Sequence, residues 1–140
     1  MAEAGPRWFP ASRPGDIVWC RFPEDKLSGP GPKARPALVL RVGEHAGHPM
    51  VEVAYATSQK VDALYSREFA ITPADRVAYE VAGLSAPTKF NLGETLELDF
   101  NDAWFAVPPG APHGQTPKLG VLHPSLVRRA KAAFDAASAP

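Results

Sequence analysis

At 140 residues and 15.0 kDa the chain has the length of one domain, a unit that takes about 100–200 residues. Sixteen prolines and eleven glycines exclude a bundle of long helices, because each interior proline removes a hydrogen bond and clashes with the preceding turn. Fifteen basic residues against fifteen acidic ones give zero formal charge, so any nucleic acid must be held by a local patch and not by overall charge.

Residues 1–14, MAEAGPRWFPASRP, carry four prolines or glycines, no hydrophobic period and no apolar core of a secretory signal. They read as a flexible leader ahead of a single domain over 15–137, with Trp8 and Phe9 available to dock on it. GDIVWCRF predicts a first strand over 16–22, rich in β-formers. Its cysteine, Cys20, is the chain's only one, which excludes an internal disulfide and fits a reducing cytoplasm. PEDKLSGPGPKA is a long mobile loop. RPALVLRV predicts a second strand over 35–42, with Pro36 confined to an edge or entry. Ala37–Leu40 within it is the longest aliphatic run, far short of the ~20 residues of a membrane span. GEHAGHP then turns the chain into a third strand, MVEVAYATS, whose residues alternate with period two.

Shorter β candidates follow at Glu68–Ile71, Pro87–Leu92, Thr95–Leu98 and Ala103–Val107, with PPGAPHGQTPK over 108–118 as another loop. From Pro124 onward Leu126, Ala130 and Phe134 recur every four residues, beside Val127 and Ala133, which predicts an amphipathic C-terminal helix. Short strands closed by one helix point to a mainly β domain, a small curved antiparallel sheet or barrel.

Little of the usual catalytic vocabulary is present. His45, His48, His113 and His123 are scattered, without HExxH, CxxC or an acidic cluster of calcium-binding spacing, so no metal or cofactor is expected. Cys20, central in a strand, reads as a small core residue and not as a nucleophile. The remaining candidates sit at strand ends. Antiparallel pairing of the second and third strands brings Arg35 beside Thr57, Ser58, Gln59 and Lys60. A guanidinium next to hydroxyls, an amide and an ammonium suits an oxyanion or phosphate. Lys33 and Lys89 extend the patch. Trp19, Tyr55, Trp104 and Phe105 read as core or interface, whereas Trp8, Tyr65 and Phe90 lie in less regular stretches and are placed to stack bases.

PGDIVWCRF, a glycine-rich loop, ARPALVL and ATSQK, in that order, resemble the MazF/PemK family of type II toxin–antitoxin endoribonucleases, and LGVLHPSLVRRAKAAF resembles its closing helix. The resemblance implies a small SH3-like antiparallel barrel (PemK/CcdB-like) with a C-terminal α-helix, a homodimer, a cognate antitoxin and metal-independent cleavage of single-stranded RNA. It places Arg35 and Thr57 in the catalytic positions, with Lys33, Ser58, Gln59, Lys60 and Lys89 holding substrate. The reaction it implies is attack of a ribose 2′-hydroxyl on the adjacent phosphate. Some members carry an R-x-D stretch on a later strand where this chain has Lys89 and Asn91, and asparagine cannot serve as a base. His113 is the candidate substitute. Three readings therefore stay open: a nuclease, a weakly active or inactive RNA- or protein-binding module of the same fold, and a protein-targeting toxin as in the related gyrase-poisoning fold.

Overall fold

The structure, a computed structural model, describes residues 5–25 and 29–139. Six strands, β1 (Asp16–Cys20), β2 (Arg35–His45), β3 (His48–Thr57), β4 (Glu68–Ile71), β5 (Thr88–Asp99) and β6 (Lys118–Val121), are joined by two helices, α1 (Val77–Ala82) and α2 (Val127–Ser138). A turn of 3₁₀ helix precedes each helix, over Pro73–Asp75 and Pro124–Leu126. The strands form one antiparallel sheet in the order β4-β5-β3-β2-β1-β6. The domain is mainly β with a C-terminal helix, as the pattern predicts. Of the curved sheet or barrel expected, the sheet is bent and not closed, since among the described residues no ladder joins β4 to β6.

Both faces of the sheet are buried, and the period-two alternation sorts the side chains between them. One face presents Ile17, Leu38, Ala54, Ala56 and Phe90 to the helices, which reply with Ala78, Ala82, Leu126 and Ala133. The other presents Val18, Cys20, Val39, Val51 and Val53 to Phe9, Phe100 and Phe105. Phe9 is 4% exposed, so the segment expected as a loose leader is pinned from residue 7 onward, while residues 1–4 lie outside the described residues. Trp8 bridges Asn101 and stacks on His48 with ring centroids 3.9 Å apart.

Several boundaries differ from expectation for identifiable reasons. The first strand ends at Cys20, and β2 runs on to His45. The β2–β3 turn needs only Ala46 and Gly47, both in the left-handed region that a two-residue hairpin demands. Pro87–Leu92 and Thr95–Leu98 belong to one strand: the β3 partner of Ala54 is Thr95, but that of Tyr55 is Asn91. The three extra residues bulge out at Gly93, whose N–H donates to Asn91 Oδ1 at 2.9 Å, and the bulge bends the sheet. Ala103–Val107 contributes a single bridge, Cys20 to Phe105, and no strand.

Two elements were not expected. α1 is entered through a capping box in which Thr72 and Asp75 each bind the other's backbone, and it ends at Gly83 in the left-handed conformation. Its C-terminus lies directly against β6, where a Cβ on Gly83 or Gly120 would overlap the facing backbone. The 3₁₀ turn before α2 buries Leu126 and α2 buries Ala133, as the pattern requires, but Phe134 stays 48% exposed. Arg129 anchors this helix to β4, donating to Ala70 O at 3.0 Å and to Asp75. No described helix is long and apolar enough to cross a membrane.

Candidate active site

Proline creates the site. Arg35 pairs with Cys20 of β1, but the β2–β3 ladder begins only at Leu38 and Ala54. Pro36 lacks the N–H that would extend it. The same register carried onward would set Arg35 opposite Thr57; the strands part there instead, and a cleft of about 260 Å³ opens between them. Arg35, Pro36, Ala56 and Thr57 line its floor.

The other walls come from two loops. Gly31, in the GPGP loop, is docked and not free: its N–H donates to Arg21 O at 2.9 Å, and a Cβ there would overlap the Phe22 carbonyl. That contact fixes the approach of Lys33 and Ala34 to the cleft. Residues 26–28 of this predicted mobile loop lie outside the described residues. Opposite, the connection from α1 to β5 supplies Ser85, Ala86 and Thr88. The buried Thr88 hydroxyl donates to Ala86 O at 2.9 Å and so braces this rim.

The polar groups are set for an anion. Among the described residues no carboxylate pairs with Arg35 or Lys33, both exposed. Arg41 behaves differently, held by Glu52 at 2.8 Å and Glu97 at 3.3 Å. Thr57 Oγ1 accepts the Gln59 N–H at 3.1 Å, which occupies one lone pair and leaves its proton to donate. Among the described residues the cleft lining includes no Asp, Glu, His or Cys.

The predicted residues divide. Lys33, Arg35, Thr57 and Ser58 share the cleft. Gln59 and Lys60 are exposed just beyond it, Gln59 acting through its backbone and Lys60 strained at φ 52°. Lys89 is a correction: although it is the cross-strand partner of Thr57, its ammonium turns inward to Glu68 Oε1 at 3.2 Å and Ala63 O at 3.1 Å, and it is 8% exposed. His113 is a second correction. It lines a separate cavity of about 370 Å³ with Arg13, Asp16 and Lys118, away from the cleft. Phe90, expected to be available to bases, is fully buried and stacked on Phe69. Burial pushes the Cys20 thiol far above its ordinary range, so it stays protonated and inert.

Trp19, expected in the core, lines the cleft and is half-buried. Ser85 was missed with α1, the helix that precedes it, and Thr88, inside the predicted strand Pro87–Leu92, carries no local mark of its place in the cleft. The signal was present in Thr72-Pro73-Ala74-Asp75, a cap with proline in the first turn, followed by Ala78 and Ala82 four apart.

A model of the PemK-like, MazF-like toxins of type II toxin–antitoxin systems matches residues 13–99, which include β1 to β5 and every predicted residue of the cleft. No curated protein matches in sequence. Among solved structures, an endoribonuclease in complex with its cognate antitoxin from a mycobacterial species is 18% identical, covering 91% of this chain and 94% of that one with a TM-score of 0.55. At that identity the likeness speaks for the fold, and the family match speaks for descent. The chain belongs to the PemK-like, MazF-like toxins of type II toxin–antitoxin systems.

Proposed function

We propose that this toxin is an endoribonuclease that cuts single-stranded RNA in the cleft at Arg35 and Thr57, without metal or cofactor. The ribose 2′-hydroxyl attacks the adjacent phosphorus and loses its proton to solvent. The P–O5′ bond breaks, and the 5′-oxygen takes up a proton. The products are a 2′,3′-cyclic phosphate and a 5′-hydroxyl, so atoms and charge balance.

One observation carries this reading: a guanidinium that no carboxylate pairs among the described residues shares a cleft with a hydroxyl whose proton is left to donate. Negative charge develops on the phosphoryl oxygens in the transition state, and Arg35 is built to meet it with two charge-assisted hydrogen bonds. Lys33 adds a second cation, and Ser58 and Ser85 add hydroxyls at the rim. Among the described residues the same lining lacks the carboxylate, imidazole and thiolate donors that hold a catalytic divalent ion. An antitoxin segment covering the cleft, a second copy of the chain as dimer partner and a cytoplasmic setting complete the reading, in keeping with the family.

The missing carboxylate also favours a second reading, a module that binds RNA without cutting it. Incubation with single-stranded RNA in excess EDTA separates the two. Cyclic-phosphate ends support the nuclease, binding with intact RNA supports the module, and cleavage abolished by EDTA overturns the metal-free mechanism.

A further inference from the structure

The segment between Thr57 and β4 is held more rigidly than an exposed loop needs to be. The Ala63 N–H donates to Lys60 O at 3.0 Å, and the Glu68 N–H donates to Tyr65 O at 2.9 Å, closing two successive turns. From below, Lys89 Nζ donates to Ala63 O at 3.1 Å and Glu68 Oε1 accepts the Tyr65 N–H at 2.9 Å. These two side chains also pair with each other at 3.2 Å, and they are only 9% and 7% exposed. A buried ion pair thus grips the loop on both sides of residue 64. Yet it leaves two large apolar side chains facing solvent: Leu64 is 49% exposed and Tyr65 71%.

Fixing a backbone while leaving two large apolar side chains bare gains nothing for the core, which points to a ligand. We propose that the Lys89–Glu68 pair is a clamp that positions Tyr65 as a stacking platform for an unpaired base of the RNA whose phosphate occupies the Arg35–Thr57 cleft. Three observations favour RNA. The loop starts at Ser58, itself in the cleft lining. The clamping Lys89 is the cross-strand partner of Thr57, so platform and cleft share one rigid strand pair. The exposed cations Lys33 and Arg35 line the cleft and the exposed Lys60 follows Ser58 in the loop; a phosphate backbone needs them, whereas an uncharged peptide does not. Lys89 and Glu68 are positioning residues, acting through the loop; Tyr65 touches the base.

This inference rests on the nuclease reading, so the test measures both. Steady-state cleavage of a single-stranded RNA is compared for the wild-type protein, Tyr65→Ala, Tyr65→Phe and Lys89→Met, alongside affinity for a 2′-O-methyl analogue that cannot be cut. Loss of one base stack raises KM and the analogue's Kd roughly 5- to 100-fold in Tyr65→Ala. The value of kcat at saturation holds, and Tyr65→Phe, which keeps the ring, stays near wild type. Lys89→Met, assayed below its melting range, raises KM as well, but adds nothing in a Tyr65→Ala background. If the wild type cuts RNA and Tyr65→Ala leaves KM and Kd unchanged, the platform is wrong and the nuclease stands. If Tyr65→Ala weakens antitoxin binding alone, the loop recognises protein and this inference falls. If the wild type neither cuts nor binds RNA, both readings fall together.

Discussion

Replacing Arg35 with alanine is expected to lower the rate of RNA cleavage about 10²–10³-fold, the loss that follows removal of one preorganised donor to a developing oxyanion. The fall should appear in kcat more than in KM, because the phosphoryl charge that Arg35 meets is greatest in the transition state. Arg35→Lys should recover part of the rate: the charge returns but the two-pronged geometry does not. Folding should be untouched. Arg35 is exposed and has no carboxylate partner among the described residues, so its removal strands no buried charge. Single-turnover kinetics with a melting curve for each variant check all three statements. A wild-type rate in Arg35→Ala would remove this residue from the chemistry.

The second large effect falls on stability. Lys89→Met removes the cation from a pair that is 9% and 7% exposed and leaves the Glu68 carboxylate buried without it. Breaking a buried pair at one partner costs about 3–5 kcal/mol. In a chain of this size that corresponds to a melting point lower by roughly 10–20 °C. Replacing both partners, Lys89→Met with Glu68→Leu, should restore much of the loss, since an apolar pair of similar volume owes no desolvation cost. Calorimetry on the single and double variants decides. A single variant that melts with the wild type would mean that the pair is solvated and cannot clamp the loop.

How far the sequence was legible depended on the range over which each signal acts. Strands with a local hydrophobic pattern, β1 to β4, and the helix built on Leu126 and Ala133 could be read from neighbours in the chain. The juxtaposition of Arg35 and Thr57 was also readable, because hairpin pairing follows from two adjacent strands. Lys89 was misread for the opposite reason. Its partners, Glu68 and Ala63, lie 21 and 26 residues away, and nothing local shows that its side chain turns inward. β5 was split in two because its bulge at Gly93 is visible only against β3. α1 is six residues long, too short for a period to emerge, and β6 is held by its antiparallel pairing with β1 across a hundred residues. Docking of the leader through Phe9, which the sequence leaves open, depends on Phe100, whose carbonyl accepts the Phe9 N–H and whose ring packs against it, both entirely long-range contacts.

These placements change the chemistry assigned to the cleft. With Lys89 inside the core and His113 in another cavity, neither is available for proton transfer or phosphate binding there. Arg35, Lys33 and the Thr57 hydroxyl remain in the cleft, and on the proposed reading they act on a substrate that carries its own nucleophile. The direct test is a single-stranded RNA in which the nucleotide 5′ of the mapped cut carries 2′-hydrogen in place of 2′-hydroxyl. The account predicts that this strand binds as tightly as the all-ribose RNA and is not cut at that position; cutting there at the normal rate would contradict it.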